Sequence, residues 1–157
     1  MENYMKLEIA AISENESFAR SAVAAFALAL NPTLGELSDI KTAVSEAVTN
    51  CIVHAYTGGD VDKRVYIECT AVKIAGSGEL HIQITDFGCG IDDVDRALTP
   101  FYTTLENEER SGMGFTIMQT FMSDFCVKSE KGKGTQVLMS KKIGVAESVE
   151  LKERVNA

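Results

Sequence analysis

The chain has 157 residues, 45% hydrophobic and 24% charged, with a formal net charge of −8; one soluble globular domain with a substantial core is expected. The acidic balance argues against direct nucleic-acid or anionic-membrane binding, and no stretch approaches the ~18 apolar residues of a membrane span. The N-terminus lacks the basic start and apolar run of a signal peptide, and Cys51, Cys69, Cys89 and Cys126 form no C-x-x-C pair. A cytoplasmic protein follows as the expectation, with three of its thiols reduced and buried in apolar patterns.

Met5, Leu7, Ile9 and Ala11 alternate with Lys6 and Glu8, the pattern of a half-buried strand. Ser13 with Glu16 reads as a capping box opening a helix that Asn31-Pro32 stops. Glu16 and Arg20 lie one turn apart on its polar side, and by themselves read as a surface ion pair worth a few tenths of a kcal/mol. Thr33 with Glu36 reads as a second capping box, starting a long helix that ends near Tyr56.

That long helix is the stretch around which the chain is organised. Val44, Ala47, Val48, Cys51 and Ala55 form its apolar stripe, while Glu46, Asn50 and His54 stack along an adjacent polar edge. A carboxylate, a carboxamide and an imidazole in one row can supply a base, an oxygen ligand for a hard cation and a hydrogen-bonding group. A solvated helix face could carry the same residues.

Two alternating runs, one through Val65, Ile67, Cys69 and Ala71 and one through Leu80, Ile82 and Ile84, are joined by Ala75-Gly76-Ser77-Gly78 and predict an antiparallel hairpin. A short helix is expected over residues 92–98, a long polar loop over 99–110, and an apolar helix over 115–122. Two strands, 125–129 and 135–141, close the fold, and a charged tail follows from Gly144. The order predicts an α+β sandwich: one mixed, mainly antiparallel sheet with its helices on one face. The other face needs cover, and a dimer partner is one source.

Two glycine-rich turns carry the chemistry. Asp86-x-Gly88-x-Gly90 follows a strand, so its carboxylate could accept a hydrogen bond from an exocyclic amine such as that of adenine, with glycines allowing a flat ring to approach. A plain strand-to-helix turn would use the same residue types. Gly112-Met113-Gly114 directly precedes a helix, where free amides and the helix dipole suit an anion, and Arg110 adds a fixed positive charge. Two look-alikes fail. Asp86-Phe87-Gly88 has no accompanying kinase catalytic loop, and Gly132-Lys133-Gly134-Thr135 has Val127 where a P-loop needs its first glycine.

Together, Glu46-x-x-x-Asn50, Asp86-x-Gly-x-Gly90, Gly112-x-Gly114 and Gly134-Thr135 resemble, in order and spacing, the four boxes of the Bergerat ATP-binding fold of the GHKL superfamily. Within it, Glu46-Ala-Val-Thr-Asn-Cys-Ile-Val-His-Ala-Tyr56 resembles the sporulation anti-sigma serine kinases, as do the stretches starting at Asn15 and Glu109. The resemblance runs from about residue 4 to 142, and implies one Bergerat-type domain over 1–143 with the tail at 144–157.

The resemblance also implies roles. Glu46 would be the general base and Asn50 the ligand of Mg2+. Asp86 would bind the adenine amine of ATP or ADP, with Gly88, Gly90 and Thr135 beside it. Gly112, Gly114 and Arg110 would hold the phosphates beneath a lid over 99–110. Glu16 and Arg20 would contact protein partners: a sporulation sigma factor of the sigma F type, and an anti-anti-sigma factor phosphorylated on serine. A homodimer is implied. The alternatives are an ATP-gated sigma-binding module with little kinase activity and a plain ATPase; Glu46 counts against the pure binding module, which needs no base.

Overall fold

The computed structural model describes residues 1–57, 62–99 and 113–144. Five strands form one sheet: β1 (Glu2–Ala10), β2 (Arg64–Ile74), β3 (Ser77–Asp86), β4 (Asp124–Glu130) and β5 (Gly134–Ile143). Their order is β1-β2-β3-β5-β4, and all four pairings are antiparallel. The expected α+β class holds, but no parallel pair exists among the described residues, so "mixed" does not apply to this sheet. The β2–β3 hairpin turns at Ala75 and Gly76, both at positive φ (47° and 88°), as a two-residue turn matched to the strand twist requires.

Period-two alternation decides which side chains meet the helices. Ile67, Cys69, Leu80, Ile82, Ile84, Val137 and Met139 point inward and are buried. Against them lie α1 (Glu14–Ala27), α2 (Leu34–Asn50) and α4 (Gly114–Phe121), with the short α3 (Val94–Ala97) preceding the 100–112 segment. Lys141 shares the inward register of β5; its ammonium is held by Asp39 at 2.9 Å and by the carbonyl of Phe121, at the C-terminus of α4, at 2.6 Å. The opposite face is mostly polar, with Lys6 paired to Glu68 and Gln83 donating to Glu68. No helix among the described residues is long and apolar enough to cross a membrane.

The two expected capping boxes part company. Thr33 accepts the Glu36 amide at 3.1 Å while Glu36 accepts the Thr33 amide at 2.8 Å. Ser13 makes no side-chain cap, because its own backbone is already helical and the Glu16 carboxylate is engaged elsewhere, by the Ser45 hydroxyl at 2.5 Å and the Arg20 guanidinium at 3.6 Å. The thiols also correct the expectation. Cys51 and Cys69 are buried, but Cys89 and Cys126 are exposed, Cys126 because its register opposite Leu138 faces outward. The lid over 99–110 and the tail from 144 fall, beyond Thr99 and Gly144, outside the described residues.

Candidate functional site

The polar edge of α2 faces a cavity of about 850 Å³ between that helix, the end of β3 and the start of α4. Glu46, Asn50 and His54 line it from the helix, Asp86 and Thr135 from the adjacent strands β3 and β5, and Gly90 and Gly114 from the two turns. Seven of the residues singled out in the sequence therefore share one wall system, though they span positions 46 to 135. Arg110 and Gly112 lie outside the described residues. Glu16 and Arg20 do not line the cavity; they sit on α1, joined to its rear through the Ser45 hydroxyl.

α2 ends as an α-helix at Asn50 and continues as a π-helical turn, Cys51–Ala55. Such turns are rare and recur at functional sites. Here the widened turn leaves the Ala55 carbonyl to accept the Cys89 amide at 2.7 Å, which pins the loop after β3 to the end of the helix. Close backbone approach within the protein itself requires glycine at both positions of this loop. A Cβ on Gly88 would lie 2.1 Å from the Ala55 carbonyl oxygen. Gly90, at φ +70°, would place a Cβ 2.1 Å from the Glu130 carbonyl oxygen. Gly88 accordingly supports the site from behind, while Gly90 also lines the cavity.

Asp86 is the buried charge of the site, 4% exposed. Its Oδ1 accepts the Gly88 amide at 3.0 Å and its Oδ2 the Cys51 thiol at 3.6 Å. Burial raises its pKa, opposed by hydrogen bonds from Gly88, Cys51 and the Thr135 backbone. The Cys51 thiol is itself pushed well up, first by burial and then by the Asp86 charge, so it stays protonated and can donate. Ser129 organises the opposite rim: its hydroxyl accepts the Ile91 amide at 2.8 Å and lies 2.8 Å from the Thr135 hydroxyl.

α4 begins beside Glu46 and Asn50. A Cβ on Gly114 would stand 3.1 Å from Glu46 Oε2 and 3.6 Å from Asn50 Nδ2, so glycine lets the helix N-terminus close on both residues. Backbone amides at a helix start and its dipole favour an anion there. A carboxamide oxygen beside a carboxylate, open to the cavity, has the donor chemistry of a hard cation such as Mg2+.

Four participants escaped the sequence reading. Cys51 touches Asp86, Arg96 on α3 adds a cation to the cavity wall, and Ser129 braces Thr135. The fourth is Tyr56, whose hydroxyl donates to the Arg64 carbonyl at 2.5 Å and accepts the Phe87 amide at 3.0 Å, steadying the residue after Asp86. Cys51 had a signal in its place beside Asn50; the others depend on partners far away in the chain.

Comparison with known proteins agrees with this fold. Residues 9–141 match the histidine kinase-like ATPase domain. The anti-sigma F factor of Clostridium botulinum (strain Eklund 17B / Type B) is 53% identical over 144 residues, covering 92% of this chain and 97% of that protein. The anti-sigma F factor of Thermoanaerobacter sp. (strain X514) is 51% identical over 142 residues, covering 90% and 95%. In three dimensions, the crystal structure of the RsbU and RsbW domains of a Mycobacterium tuberculosis protein matches with a TM-score of 0.62 at 16% identity, over 88% of this chain and 32% of that one, a likeness of fold. Matched over most of its length by that domain and at about half identity by proteins covered almost end to end, the chain belongs to the anti-sigma F factor family of histidine kinase-like ATPase domains.

Proposed function

We propose that this protein is a cytoplasmic, homodimeric anti-sigma factor and ATP-dependent serine kinase, acting in sporulation. Bound to ATP it holds a sigma factor of the sigma F type, and it phosphorylates a serine of an anti-anti-sigma factor, which switches partners. The observation that carries this reading is the convergence of Glu46, Asn50 and the start of α4 at one end of the cavity, with the buried carboxylate of Asp86 on its wall. The domain would occupy residues 1–143, with 144–157 as an appended tail.

In this reading Asp86 accepts a hydrogen bond from the adenine amine, with Gly90 and Thr135 alongside. The phosphates lie toward Gly114, with Gly112 and Arg110 completing their cradle. Asn50 would hold Mg2+, whose charge offsets that of the phosphates. Glu46 takes the proton of the substrate serine hydroxyl as its oxygen attacks the terminal phosphorus. The bond to the leaving oxygen breaks and ADP departs. Positioning and charge neutralisation supply most of the acceleration in such transfers. Glu16 and Arg20 bind the protein partners on α1.

Incubation with ATP labelled on its terminal phosphate, with and without the anti-anti-sigma protein, tests the reading. Label on a serine of that protein supports it. Label only in free phosphate would make the chain an ATPase, and label left in ATP, with sigma factor still bound, would make it an ATP-gated binding module.

A further inference from the structure

Besides the hydrogen bond from the Thr135 backbone, the carboxylate of Asp86 is set by two contacts of different kinds. Oδ1 is tied to the Gly88 amide at 3.0 Å, a bond within its own turn. Oδ2 meets the Cys51 thiol at 3.6 Å, a bond from a different element, the π-helical turn at the end of α2. One donor leaves a carboxylate free to rock about its Cβ–Cγ bond; donors on both oxygens fix its plane. A carboxylate offers about four lone-pair sites, one more than these three donors use, so a plane held this way can present an acceptor to the cavity. Cys51 is suited to the task because it belongs at once to the hydrophobic core and to the cavity lining, at 4% exposure.

We propose that Cys51 is a positioning residue for base recognition: its thiol orients Asp86 so that the site selects an amino-bearing purine, adenine, over one with a carbonyl at that position, guanine. This rests on the reading of Asp86 as the adenine acceptor. The chemistry depends on donation. A thiol donates weakly but fills an apolar niche well; valine fills the same niche and donates nothing; serine donates more strongly with a smaller atom. An apolar group at position 51 leaves Oδ2 short of one donor and leaves the buried carboxylate less favoured in its acceptor form, whereas a hydroxyl restores both.

Isothermal titration of ATP and GTP, with Mg2+, into the full chain and its Cys51→Val, Cys51→Ser and Asp86→Asn variants tests this, with thermal melting as the check on folding. Cys51→Val is expected to weaken ATP by roughly tenfold, the low end for a hydrogen bond to a charged group. GTP should change much less, so the ATP-to-GTP preference falls, and Cys51→Ser should recover most of it. Cys51→Ala makes the same comparison if the valine variant does not fold. A preference unchanged in Cys51→Val, or lost equally in Cys51→Val and Cys51→Ser, overturns the proposal. If Asp86→Asn also leaves the preference unchanged, the underlying assignment of Asp86 falls with it; a loss in Asp86→Asn alone removes only Cys51.

Discussion

The cavity and the outer edge of α1 are built by opposite means, although they share the helix α2. At the cavity, position is enforced by backbone pressed on backbone: the loop after β3 is bonded to Ala55, and glycines stand where any Cβ would collide. At the α1 edge, position is enforced by side chains alone. Arg20 is 41% exposed and reaches Glu16 at 3.6 Å, which in turn is anchored by the Ser45 hydroxyl. The first arrangement tolerates little substitution, since backbone atoms cannot move aside for a side chain as another side chain can. The second leaves the Arg20 guanidinium in a partly exposed ion pair. Ser45 directly precedes Glu46, so the two regions touch through neighbouring residues of one helix turn.

That contrast can be broken by substitutions of decreasing weight. Gly88→Ala should be the most damaging, because the added methyl collides with the Ala55 carbonyl rather than with a movable side chain. A loss of about 3 kcal/mol in denaturant unfolding is expected, at the upper range for overpacking; a change below about 0.5 kcal/mol would mean that the loop and helix end are not held as described.

Glu46→Gln keeps the shape of the cavity wall and removes the carboxylate proposed as the base. Serine phosphorylation should fall by roughly 100-fold or more, about 2.7 kcal/mol of barrier, with ATP and partner binding retained. Near-normal transfer would take Glu46 out of the chemistry. Arg20→Ala should leave ATP affinity and folding within about 0.5 kcal/mol of the parent, as for an ordinary surface change. Affinity for both the sigma factor and the anti-anti-sigma protein should fall by about 2 kcal/mol, the range of an interface hot spot. Unchanged titrations with both partners would leave Arg20 as a helix-surface ion pair.

The smallest expected effect is on pH dependence. Burial raises the folded-state pKa of Asp86 above its usual 3.8. Its contribution to stability is therefore complete below that value and is lost as pH rises through the folded-state pKa. Asp86→Asn does not titrate, so the variant should gain stability relative to the parent as pH rises from about 4 toward neutrality. Melting curves of the two proteins across that range would show the gap moving in this direction; a constant gap would mean that Asp86 carries no net burial penalty.

Much of the architecture was legible because it depends on local periodicity. Alternation in β2 and β3, the 3.6-residue stripe of α2 and the Thr33–Glu36 box all involve neighbours within a turn or a pleat, and all appear as expected. The Ser13–Glu16 box had the same local signature and did not form, because a long-range hydrogen bond from Ser45 competes for the same carboxylate. Asp86 and Asn50 were legible as residue types in a spaced pattern; that Cys51, the neighbour of Asn50 in the chain, holds Asp86 was not, since 35 residues separate the two.

The amino-acid sequence by itself determined the elements, the inward faces of the strands and the residue types gathered along the polar edge of α2, because these follow from spacing and chemical character. Only the tertiary structure decided that β5 enters the sheet between β3 and β4, which sets Thr135 opposite Asp86. It also decided why Gly88 and Gly90 are glycines, since the atoms that exclude a side chain there belong to Ala55 and Glu130. The physical reason is common to both. Pairing order and close backbone approach are contacts between segments distant in the chain, and no local pattern of residues encodes which distant carbonyl will arrive within 2.1 Å of a missing Cβ.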